Sequence, residues 1–122
     1  MRPSGPGELD KLSDAIADLA ARLDAQEGRV ARAENRALPV ADRQEAALAA
    51  HAGDDELVDA LKRLSREVGA FVPATGADAD RFDQFRPRLK ELGERTVRLA
   101  ERLDAVTAQL TKEEPGGRKD KP

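Results

Sequence analysis

The sequence predicts an all-α protein of long helices with heptad-like seams, folded as an up-down-up, antiparallel three-helix bundle. The clearest support lies between Asp80 and Leu110. There the apolar residues fall at Phe82, Phe85, Leu89, Leu92, Leu99, Leu103, Val106 and Leu110, in alternating steps of three and four, with Thr96 in the one vacant slot. Such spacing specifies one long helix with an apolar seam. Composition points the same way: 37% of residues are charged and 2% aromatic, and much of the 39% apolar fraction is alanine and leucine. That balance suits exposed helices or coiled coil, and the periodicity of the leucines argues against disorder. Finally, three segments of about 30 residues, each about 45 Å long as helix, are joined by short connections, which suits a bundle. A helical hairpin or coiled coil that dimerises is the alternative, because the alanine-rich faces of the first two segments bury little area and leave surface for a second chain.

Residues 1–7, with two prolines and two glycines, read as a flexible lead, residues 8–112 as the helical domain and 113–122 as a flexible polar tail. The first helix is expected from Glu8 to about Leu38. Its seam runs Leu9, Leu12, Ile16, Leu19, Leu23, Val30, Ala33, Ala37, with polar Gln26 in one slot. Acidic residues near its start and arginines near its end complement the helix dipole. Pro39 places a turn near Leu38–Ala41, since proline begins helices more readily than it continues them.

A second helical region is expected over Asp42–Phe71, interrupted near Gly53-Asp54-Asp55, with Asp54 as a candidate N-cap. Leu57, Leu61, Leu64, Val68 and Phe71 continue a four-three pattern beyond that point. Val72-Pro73-Ala74-Thr75-Gly76-Ala77 is the plainest loop. Asp78 or Asp80 is then expected to cap the third helix, which Pro87 either kinks or starts.

Net charge is −3, from 21 basic and 24 acidic residues, too balanced to draw in nucleic acid or an anionic membrane by field alone. No cysteine is present, which excludes disulfides and thiolate metal sites. No apolar run approaches the roughly 20 residues that span a bilayer, and residues 1–7 lack the apolar stretch of a signal peptide; a cytoplasmic location is the expectation.

Few groups invite chemistry. His51 is the one histidine, followed by Asp54 and Asp55. Histidine with carboxylates can bind a metal or relay protons, but a metal centre wants about three ligands in fixed geometry. Asp78, Asp80 and Asp83 depart from a calcium loop, because Asp83 occupies the glycine position and Leu89 the position of the bidentate glutamate. Phosphate-binding, nucleophile-elbow and metalloprotease motifs are missing. No catalytic residue, cofactor site or metal site is therefore expected.

Arg81, Arg88, Arg95 and Arg102 recur every seven residues beside the seam. They are expected to lay their stems along it with the guanidinium groups in water. Glu91–Arg95 and Glu94–Arg98 have the favourable i,i+4 spacing for intrahelical pairs. On the opposite flank Gly93, Ala100 and Thr107 are small enough to admit a neighbouring helix. Thr96 and Gln26 are read as tolerant seam positions near solvent, the threonine hydroxyl bonding back to its own helix.

The functional expectation is a non-enzymatic helical or coiled-coil protein–protein interaction module: an adaptor, scaffold or accessory subunit. It would bind a protein partner, or itself, through Leu89, Leu92, Leu99, Leu103 and Val106, with Arg88, Arg95 and Arg102 steering the pairing. The alternative is an accessory protein of a nucleic-acid complex, in DNA transfer or segregation, using the arginine stripe and the basic tail.

Overall fold

A computed structural model describes residue 5 and residues 7–113 and shows an all-α fold. Among these residues there are three long helices and one short one: α1 (Glu8–Glu34), α2 (Val40–Ala70), α3 (Gly76–Asp83) and α4 (Phe85–Glu113). Helix α3 is a short lead into α4, so the two form the third arm of the bundle. Most of the lead expected over 1–7, and all of the expected tail beyond Glu113, lie outside the described residues.

The direction of each arm follows from which residues meet. Arg81 reaches Asp10 and Arg95 reaches Asp24, both 71 positions away, and Arg102 reaches Glu34, 68 away. A near-constant offset means that α1 and the third arm run parallel. Between α1 and α2 the numbers run oppositely: Gln26 bonds Ala50, while Ala33 accepts from Arg43. Likewise His51 meets Thr107 and Arg43 meets Glu113. Helix α2 is therefore antiparallel to both neighbours, as an up-down-up bundle requires.

The core is largely the set of seams the periodicity identifies, with Ala46, Ala47 and Ala50 added and Leu61, Phe71 and Leu89 only partly buried. Leu9, Leu12, Ile16, Leu19, Leu23, Val30 and Ala33 come from α1, and Ala46, Ala47, Ala50, Leu57, Leu64 and Val68 from α2. Phe82, Phe85, Leu92, Leu99, Leu103, Val106 and Leu110 complete it. Ala37, expected in the first seam, lies exposed beyond the helix.

Several boundaries differ from expectation. Helix α1 stops at Glu34, about four residues early. Asn35 turns extended, and its side chain and carbonyl accept from the Ala37 and Leu38 amides, respectively. An asparagine that offers its own turn competes with the helix. Pro39 then caps α2 instead of following a helix that reaches it. Helix α2 runs unbroken through Gly53, Asp54 and Asp55. Glycine costs a helix about 1 kcal/mol, but here it makes room: a Cβ at Gly53 would stand 2.3 Å from the Gln26 side-chain oxygen. The glycine thus admits Gln26, which is buried and donates to the Ala50 carbonyl at 2.7 Å.

The third arm begins with Thr75 as cap, not Asp78 or Asp80; its hydroxyl accepts from the Asp78 amide at 3.0 Å. The break between α3 and α4 falls at Gln84. Pro87 explains it, since its ring clashes with the carbonyl four residues earlier, at Asp83, and it offers no amide to that carbonyl. Phe71 stacks on Phe82 with centroids 4.7 Å apart, and Phe82 meets Phe85 edge-on at 6.0 Å. This aromatic cluster ties the end of α2 to both parts of the third arm.

Candidate functional site

The residues expected to dock a partner are spent within the chain. Leu92, Leu99, Leu103 and Val106 are buried, and Leu89 is half-buried against the same core. They face α1 and α2, so in this fold they hold the bundle together instead of presenting a free seam. The arginine stripe is equally committed. Arg95 forks onto Glu27, with its Nη2–Oε1 contact at 2.6 Å, and also reaches Asp24. Arg102 forks onto Glu34, at 2.6 and 3.1 Å. Arg81 bonds Asp10 at 3.1 Å. Of the four stripe arginines, Arg88 alone makes no ion pair among the described residues, since the positions 71 and 68 before it are Ala17 and Ala20. Hydrogen bonds donated to Glu27 and then to Asp24 hold the Arg95 guanidinium above its ordinary pKa, and a bond to Glu34 does the same for Arg102. The Glu91–Arg95 and Glu94–Arg98 pairs do not form among the described residues; Arg95 turns instead to carboxylates on α1.

The two polar seam residues are not near solvent. Thr96 is buried, and its hydroxyl donates to the Leu92 carbonyl at 2.7 Å, the back-bond expected of it. Gln26 is buried with both ends of its amide used, accepting from Arg29 and donating to Ala50.

Sequence reasoning missed Arg43. Its side chain is 3% exposed. Nε donates to the Ala33 carbonyl at 2.8 Å, and Nη1 meets the Glu113 carboxylate at 3.0 Å. A carbonyl in the last turn of a helix has no partner within that helix, and Arg43 supplies one for α1 from α2. It also anchors the final turn of α4. Arginine at an interior spacing was the available signal, but periodicity alone does not tell a buried arginine from a solvated one.

On the flank between α2 and α4 lie the remaining polar groups. Of the small residues on that flank, Gly93 borders a groove with Leu61 of α2, and Thr107 meets His51 of α2. The exposed His51 ring shares a 2.9 Å hydrogen bond with the Thr107 hydroxyl. Asp54, one turn along, has a buried oxygen without a partner. Burial first, then Asp55, pushes its carboxyl pKa up; His51 opposes the shift and Asp104 adds to it. Among the described residues no three His, Cys, Asp or Glu side chains converge as a metal-binding group. Asp78, in the candidate calcium loop, instead occupies the first turn of α3.

The same flank carries the two large apolar side chains left in water among the described residues, Leu48 at 71% exposure and Val97 at 60%. Leu48 borders a shallow groove with His51, Thr107 and Thr111. Val97 borders another with Leu61, Lys90 and Gly93. No helix among the described residues is long and apolar enough to cross a membrane. Comparison with known protein families, curated proteins and solved structures finds no match to this chain.

Proposed function

We propose that this chain is a non-enzymatic protein–protein interaction module, an adaptor or accessory subunit working in the cytoplasm. Its docking surface is the α2–α4 flank, in place of the seam that the spacing of leucines suggests. The observation that carries this reading is the exposure of Leu48 and Val97 along one flank of a bundle whose other large apolar side chains, among the described residues, are buried or half-buried. Apolar anchors within a polar rim are what partner surfaces use. The nucleic-acid reading loses its main support, because three of the four stripe arginines are paired with carboxylates on α1.

The test is affinity capture with the chain and with a Leu48→Glu, Val97→Glu variant. Both positions are exposed, so the variant should keep its circular-dichroism spectrum and its melt. Loss of the captured protein supports the reading. Capture that is unchanged by the double substitution overturns this choice of surface.

A further inference from the structure

The α2–α4 flank has a charge pattern that matches its own reverse. The pairs His51–Thr107 and Arg43–Glu113 set the levels of the two helices against each other. On that scale Lys62 and Arg66 lie beside the first half of α4, which presents Arg86 and Lys90. Asp54 and Asp55 lie beside the second half, which presents Glu101 and Asp104. One half of the face is therefore mainly basic and the other mainly acidic, with Val58 and Val97 between them and Glu94 and Arg98, beside Val97, as the exceptions. None of these charges forms an intrachain ion pair among the described residues, in contrast to those facing α1.

We propose that this face is the contact surface for a second copy of the chain, packed about a two-fold axis that crosses α4 between Val97 and Glu101, with the two α4 helices antiparallel. Such an isologous contact places the basic half of each copy on the acidic half of the other. It brings Val97 and Val58 of both copies to the centre. Leu48, level with Leu110, is carried about ten residues past the axis, toward the opposite copy's groove beside Lys90 and Gly93. A Cβ at Gly93 would meet nothing within 4 Å, so that groove has room for an incoming side chain. Within a single chain the acidic half repels itself, since Asp55 and Asp104 both disfavour the Asp54 carboxylate. An opposing set of lysines and arginines relieves that repulsion.

The inference rests on reading the chain as an interaction module, and its test separates the two. Sedimentation equilibrium of the full chain at low salt should show a species of twice 13.2 kDa that weakens at least tenfold at high salt. Lys62→Glu with Lys90→Glu cancels the positive charge of the basic half, and Asp55→Lys with Asp104→Lys cancels the negative charge of the acidic half. Each variant alone should be monomeric with an unchanged circular-dichroism spectrum, and an equimolar mixture should restore the dimer. A chain that stays monomeric up to about 1 mM overturns the proposal, as does a dimer indifferent to both reversals. A monomer that captures a different protein through Leu48 and Val97 overturns self-association while the module reading stands.

Discussion

Helix α4 is flanked by two grooves of different chemistry. On its α1 side, Arg81, Arg95 and Arg102 reach across to Asp10, Asp24, Glu27 and Glu34, and two of them fork onto a single carboxylate. On its α2 side, ion pairing among the described residues is limited to Arg43–Glu113 at one end, and Leu48 and Val97 stay in water. Both grooves close over the same leucines. The difference is therefore not in the core but in how its edges are finished. Paired charges seal an edge and fix register, whereas unpaired charges of both signs beside apolar side chains leave one available.

The largest expected effect comes from the residue both grooves share. Leu99 is 1% exposed, and Leu99→Ala should cost about 2–5 kcal/mol. A thermal or denaturant melt unchanged by it would mean that the seam is not the core. Next is Arg43→Ala, which removes the α1 carbonyl's partner and leaves Glu113 unpaired. We expect a loss of about 2–4 kcal/mol, read in the same melt. A value near zero would show that the α2–α4 edge closes without it.

The third prediction compares the edges directly. Arg95→Glu with Arg102→Glu sets like charges against Asp24, Glu27 and Glu34, so the folded chain should lose about 1–2 kcal/mol, less at high salt. Reversing Lys62 and Lys90 in the monomeric chain should change stability by no more than about 0.5 kcal/mol. Equal effects at the two edges would erase the distinction.

How much of this was legible in the sequence depends on the kind of contact. The seams were, because burial follows a period that any apolar list reveals. Pairing between helices was not. Arg95 has a suitable glutamate on its own helix, Glu91, and only the parallel placement of α1 decides that it turns to Asp24 and Glu27. Gly53 shows the same limit: read locally it is a helix breaker, but packed it is the hollow that seats Gln26. Asn35 carried a usable signal, because a side chain that offers its own turn ends a helix before a proline four residues on. The site is harder still. The leucines chosen for docking were correctly seen as apolar and periodic, and for that reason they are consumed by folding. The residues left over, Leu48 and Val97, fall outside the seams of their own helices.

The smallest effect tests whether the acidic part of the open edge is under strain. Asp54 has a buried, unpartnered oxygen and lies near Asp55 and Asp104, and its carboxyl pKa is raised above the ordinary 3.8. The folded chain then binds this proton more tightly than the unfolded chain, so stability from this group falls as pH rises through the raised value. Below about 3.8 both states are protonated and the penalty vanishes. Asp54→Asn removes the titration at nearly constant volume and helix propensity. We expect the variant to be more stable than the parent at neutral pH, with the difference shrinking as the pH falls toward about 3. A parent chain that gains on the variant as pH rises would mean that the Asp54 carboxylate is stabilised in the fold, by His51 or another cation, and the edge would then be electrostatically satisfied without a partner.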